Sequence, residues 1–341
     1  MKLSRSSLLL ASTFALALAA ATAPASEKSP ARGINRTRFE HWPDALQLES
    51  KESAAKAVVV PSFGGRVMSY GLHGENILWV NPDASAAVPA TPTNTLVPAG
   101  FFCALGPDSP ARPGNVAMAN GTYEWTTRSH ALLVLRSPEE KGARASLERE
   151  MMFDPSTGDL GFVHRVKNLT EDDAAFTLCQ RIACKPGGFV LVPVNKKSRF
   201  AAGWSVKRDA AGASPWDGAT PQAEGVRLLD GLLVARTGTG SARVGTDSDA
   251  QWMAYVIGRS LFIINFPYYA SAVYAEGGNS VTFSWNDKMT ELEPIGPEAR
   301  LRSRKTADLP MKWSLVELPA EVTSFEQARA LADKVPASPF Q

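Results

Sequence analysis

The stretch Met289–Pro297 reads MTELEPIGP and sets two glutamates one residue apart before a proline-glycine stop. In a strand, residues i and i+2 stand on one face, so Glu291 and Glu293 are expected side by side. Two carboxylates that close repel unless water, a cation or a ligand separates them. Paired carboxylates can accept hydrogen bonds from a polyhydroxylated ligand, and one of them can act as a general base. Proton donors are few, because the chain has four histidines: His41, His73, His130 and His164. His164 shares strand parity with Phe162 and Val166 and is expected as a hydrogen-bonded core residue. His73 lies in a turn, GLHGEN, and His41 precedes the first expected strand. His130 is the best-placed candidate acid by elimination.

Other residues add binding chemistry. Arg66 follows two glycines in FGGRV, where backbone or ligand can come close, and it is expected to share a face with Met68 and Tyr70. Trp204 and Trp216 lie in a polar, glycine-rich stretch that has little core to offer, and are candidate stacking platforms for a ligand. The three cysteines, Cys103, Cys179 and Cys184, fit neither a metal spacing nor a local disulfide, and they read as small buried residues. No cofactor or metal motif is found, so none is expected.

The elements that must position these residues read as strands. Short β-branched and aromatic runs such as KAVVVP, RASLEREMMF, GFVHRVKNL, AFTLCQRIAC, QWMAYVIG, SLFIINF and SVTFSWN are separated by Gly, Pro, Asn and Asp, an all-β pattern. One helix is expected, in TSFEQARALADKV, where Ser324 and Gln327 have capping-box spacing. Residues 82–120 and 201–225 are rich in Pro, Gly and small polar residues and read as long loops.

The N-terminus has Lys2 and Arg5, then an apolar run, then Ala23-Pro24-Ala25. That is the pattern of a cleaved secretory signal over 1–25, which gives a mature chain from Ser26 in a periplasm or outside the cell. Without Lys2 and Arg5 the 36 basic residues fall to 34, equal to the 34 acidic ones. A neutral balance argues against nucleic acid or an anionic membrane as partner, and no membrane anchor is expected. The expected organisation is a flexible leader over 26–38, one β-sandwich over 39–320, and a helix and tail over 321–341, as a monomer.

Three segments together carry a resemblance. VVVPSFGGRVMSYGLHGENILWVNP, LEREMMFDPSTGDLGFVHRVKNLTEDDAAFTLCQRIACKPGGFVLVPV and ELEPIGPEARL with LPMKWSL resemble, in that order, the opening, central and closing strands of the galactose mutarotase-like (aldose 1-epimerase) superfamily, nearest to an exported bacterial branch. The resemblance implies a twisted antiparallel β-supersandwich that binds sugar on the open face of its larger sheet. It implies that Glu293 stands where the family has its base. Where the family places an acidic histidine, this sequence has Gln180 and Arg181, neither of which transfers protons usefully. The expected function is therefore recognition of a sugar or oligosaccharide without catalysis, with Glu291, Arg66, Arg181, Gln180, Trp204 and Trp216 as ligand contacts. The alternative is a divergent aldose 1-epimerase using Glu293. A third reading is an accessory of a carbohydrate-active hydrolase or lyase, although two carboxylates on one strand face do not flank a glycosidic bond.

Overall fold

A computed structural model describes residues 33–82, 99–106, 116–128, 131–208 and 216–340. The signal segment, most of the expected leader and His130 lie outside the described residues. Two antiparallel sheets make up the fold. Among the described residues the larger sheet has twelve strands. It runs Ile34–Phe39, Trp42–Glu49, Ala55–Val60, Arg66–Leu72, Phe101–Gly106, Ala174–Cys184, Thr290–Pro294, Val281–Trp285, Ala242–Thr246, Ser205–Lys207 and Trp216–Asp217, with Ala299–Leu301 paired to the start of Ala174–Cys184. The smaller sheet has ten strands, centred on Trp252–Ile257, Ser260–Asn265, Thr306–Glu317, Leu160–Asn168 and Ala145–Phe153.

The alternation read from the sequence is the force that pairs these sheets. Along Ala145–Phe153 every second side chain is buried, as a half-buried strand requires. The inward-facing sets of both sheets merge into one core. Val59, Phe101, Ile182 and Phe283 of the larger sheet meet Phe162, Val190, Phe262 and Trp313 of the smaller. The rings of Phe101, Phe162 and Phe262 lie 4.9, 4.9 and 5.1 Å from that of Trp313. The helix Phe325–Ala330 forms as expected, with Ser324 and Gln327 capping each other's backbone, and it covers the outer side of the smaller sheet through Phe325 and Phe189.

Several expectations are corrected. The stretch expected as leader contains the start of the Ile34–Phe39 strand, which pairs with Trp42–Glu49 at the edge of the larger sheet. The expected loop 82–120 contains a fully buried strand, Phe101–Gly106, near the middle of that sheet, and a short helix, Val116–Asn120. Glycine and proline on either side of FFCALG hid a six-residue apolar run. Trp204 and Trp216 are mostly buried, and Trp204 packs in the core between the sheets. Arg66 and Tyr70 do not share a face. A bulge pairs Val58 with Ser69 and Val59 with Val67, leaving Met68 as the extra residue. Met68 packs outward with Trp42 and Phe63, while Val67 and Tyr70 point into the core.

Candidate functional site

The outward face of the larger sheet carries a row of charged side chains on neighbouring strands. Glu291 stands opposite Ala183 and Ser284, and Glu293 opposite Thr282. Both glutamates therefore share one face, as their spacing predicted, and the register places Arg181 with them on the face turned away from the core. The adjacent residue, Gln180, points the other way, between the sheets, and is fully buried. Of the two residues left open by the sequence, Arg181 is the one that reaches the carboxylates.

Arg181 joins them. Its Nε and Nη2 donate to the two oxygens of Glu291 at 3.1 and 2.9 Å, and its Nε lies 3.0 Å from Glu293 Oε1. The other oxygen of Glu293 accepts from Arg243 Nη2 at 2.7 Å and from Thr282 Oγ1 at 2.6 Å. Glu276 lies 3.8 Å from Arg243. The two carboxylates are almost completely covered, whereas Arg181 and Arg243 keep 13% and 24% of their side chains exposed. The site thus shows solvent its guanidinium edges and hides its acids beneath them. Arg243 comes from the short strand Ala242–Thr246, and sequence reading missed it because Gly238, Gly240 and Gly245 crowd that strand.

The same environment splits the two acids. Burial raises the Glu291 carboxyl above the usual glutamate range, and Arg181 offsets this only in part. Burial acts on Glu293 too, but Arg181, Arg243 and the Thr282 hydroxyl outweigh it and hold that carboxyl below the usual range. With its oxygens taken by three donors, Glu293 is a weak base.

Aromatic rings flank the row. Trp216 lies under both Lys207 and Arg243, each 6.0 Å from a ring centroid. Residues 266–280 connect two strands of opposite sheets and fold against the outward face. Tyr274 packs on Ile295 and Cys179, next to Glu293 and Arg181 in sequence register, and stacks on Tyr268 at 5.7 Å. The Tyr269 N–H donates to the Tyr274 hydroxyl at 2.9 Å, and Tyr269 remains 47% exposed. Sequence reading passed over this tyrosine cluster in favour of the tryptophans.

The remaining candidates sit elsewhere. Arg66 is fully buried between Phe63 and Phe102, 4.1 and 4.2 Å from their rings, and donates to Ala119 O, Ala99 O and Asn120 Oδ1. Desolvation lowers its guanidinium to about 9. It underlies Phe102, which in turn lies beneath Arg181 at 5.7 Å. His164 is buried on the core side, as its parity predicted, with its ring turned to the backbone of its cross-strand neighbour Leu309. His73 is bound to Glu317 at 3.1 Å. His41 sits in the hairpin beside Trp42, five strand spacings or about 24 Å from Thr290–Pro294. All three cysteines are free and buried. Among the described residues no group of three His, Cys, Asp or Glu side chains is placed to hold a metal ion.

No protein-family model and no curated relative matches the chain. Solved structures do. The Slr1438 protein of Synechocystis aligns at a TM-score of 0.57 with 13% identity, over 84% of this chain and 98% of its own. A galactose mutarotase-like protein from Lactobacillus casei aligns at 0.54 with 13% identity, over 79% and 100%. A galactose mutarotase related enzyme from Lactobacillus acidophilus aligns at 0.52 with 8% identity, over 81% and 100%. Identities this low speak for the fold alone, and on that level the two-sheet antiparallel architecture and the structural likeness agree: the chain has the galactose mutarotase-like fold.

Proposed function

We propose that this chain is an exported protein that binds a sugar or oligosaccharide on the outward face of its larger sheet without interconverting anomers. The observation that carries this reading is the state of Glu293. It stands where the resemblance puts the family base, yet three donors occupy its oxygens and its carboxyl is held below the usual range. A general base works best with a pKa near the operating pH, and this one is displaced in the wrong direction. The described histidines supply no acid partner on that face. What the row offers is hydrogen bonding. Two partly exposed guanidiniums can donate to ring and hydroxyl oxygens, and Tyr269, nearly half exposed on the segment that folds against this face, is a ring that can stack on the apolar side of a pyranose.

One observation favours a catalytic second reading, and it moves the base rather than restoring it. Glu291, whose carboxyl burial pushes upward, can exchange a proton more readily near neutrality than Glu293. Titration calorimetry with galactose, glucose and their uronic acids, paired with polarimetry on freshly dissolved anomers, separates the readings. Binding that weakens in Arg243→Met, with anomer interconversion at the uncatalysed rate, is the expected result. Acceleration by wild type that is lost in Glu291→Gln replaces binding with the catalytic reading. Absence of heat with every sugar sinks both.

A further inference from the structure

Behind the charged row, between the sheets, the core is interrupted. On four strands the inward-facing positions run apolar, then polar, then apolar again at one level. On Ala145–Phe153, Arg149 separates Leu147 from Met151, and on Leu160–Asn168, His164 separates Phe162 from Val166. On Ala174–Cys184, Gln180 separates Leu178 from Ile182, and on Phe101–Gly106, Cys103 separates Phe101 from Leu105. The residues on one side of this level belong to the main core and those on the other to a separate cluster, so the four side chains form a layer that divides the sandwich interior. Arg149 is the cross-strand partner of His164, and Gln180 that of Cys103. Phe101 ties the two halves together, with the Arg149 guanidinium 4.9 Å and the His164 ring 5.6 Å from its ring.

Arg149 and Gln180 hold polar atoms without a partner in this layer, while the His164 ring turns to the backbone of Leu309 on the paired strand. Arg149, His164 and Gln180 each have no exposed surface. Arg149 Nη1 donates to Gly65 O at 2.5 Å, but its Nε and Nη2 have no partner, and neither do both amide atoms of Gln180. Cys103 is a neutral thiol, pushed by burial to about 12, and supplies no counter-charge. No carboxylate among the described residues forms an ion pair with Arg149. Buried donors left unmade cost about 1–3 kcal/mol each in general, and an unpaired buried charge costs more. Such groups in a native fold call for a water or an ion. Water would satisfy N–H groups but leave the guanidinium charge uncompensated. An anion does both.

We propose that this layer is an internal site for a halide ion, held by the Arg149 guanidinium and the Gln180 amide beside the His164 ring. The site is distinct from the outward saccharide face and does not depend on it. A ligand that binds only the folded state raises stability with its concentration. Thermal unfolding of the full chain in sodium chloride, sodium bromide and sodium gluconate at equal ionic strength reads this directly. The midpoint rises with either halide and not with gluconate, and Arg149→Met loses the halide-specific rise. Equal midpoints in the three salts, or a halide rise that survives in Arg149→Met, overturn the proposal. Should Arg149→Met fail to fold, Gln180→Leu keeps the charge and removes one donor, raising the half-effective halide concentration by about tenfold. An unchanged halide response in that variant counts against the site. Crystals grown in bromide give an anomalous peak within hydrogen-bonding distance of Arg149, and ordered water alone at that position refutes it.

Discussion

Arg181 and Gln180 are neighbours in the chain and opposites in their surroundings. On the outward side Arg181 sits in a network where each guanidinium faces a carboxylate: Arg181 with Glu291 and Glu293, Arg243 with Glu293. On the inward side, one peptide away, Gln180 joins Arg149 and His164 in a layer with no carboxylate and unpartnered polar atoms. Both regions bury charge in the same sheet sandwich. The first compensates it within the chain, and the second leaves it for something small and anionic. Removing an arginine should therefore cost more on the outward side than on the inward one.

The largest contrast comes from removing each arginine. Arg181→Met leaves Glu291 and Glu293 covered, adjacent and short of their shared cation. Breaking a buried pair from one side costs about 3–5 kcal/mol, and denaturant unfolding at constant m-value is expected to show a loss of that size. Arg149→Met in gluconate removes a charge with no counter-charge and leaves only the Gly65 carbonyl without its donor, so the loss of stability is expected to stay within about 1–3 kcal/mol. If Arg149→Met proves the more damaging of the two in gluconate, the interior layer is compensated by the protein itself and the comparison fails.

How much of this was legible beforehand differs between the two sides. The Glu291-Glu293 pair was readable because period-two alternation leaves no freedom about which residues share a face. Arg181 against Gln180 was not, because choosing between adjacent residues needs the strand register. Arg243 was hidden by glycines that lower strand propensity, although pairing on both sides holds Ala242–Thr246 in the sheet. The bulge at Met68 could not be foreseen, since one extra residue reverses the parity of everything after it. The interior layer did leave a signal: Arg149 stands at apolar parity between Leu147 and Met151 in LEREM, a position where a charge is out of pattern. Trp204 and Trp216 misled for the opposite reason, because composition places a loop on the surface while two large apolar rings draw it down onto the sheet.

A second test uses acid. The Glu293 carboxyl lies below the ordinary value of 4.5, so the stability it supplies is complete above that value and is lost as pH falls through its folded pKa. Glu291 lies above 4.5, so its contribution is the reverse: present below the ordinary value, lost as pH rises through its folded pKa. Glu293→Gln should flatten the acid limb of the stability curve, and Glu291→Gln should steepen it. The two groups titrate as a pair, so the sum of the two curves matters more than either midpoint. Identical acid limbs in both variants would mean that the two carboxylates share one environment, contrary to the asymmetry of their hydrogen bonds.

The smallest expected change in stability tests whether the outward side is a binding surface at all. Tyr269 is nearly half exposed, and only its backbone is used, donating to the Tyr274 hydroxyl. The segment that carries it is fixed by other contacts: the Tyr268–Tyr274 stack and the approach of Glu276 to Arg243. Tyr269→Ala therefore removes a ring without loosening the segment, and stability should move by no more than about 0.5 kcal/mol. If the ring stacks on a sugar bound over Arg181 and Arg243, the same variant should weaken binding by up to about tenfold, the upper range for one aromatic contact. Calorimetric affinity and melting temperature measured on one preparation separate the possibilities. Affinity that falls at constant stability places Tyr269 in the wall of the site. Affinity that stays constant moves the sugar away from residues 266–280, and a large stability loss makes the ring part of the fold, leaving the guanidinium row to bind its ligand without an aromatic wall.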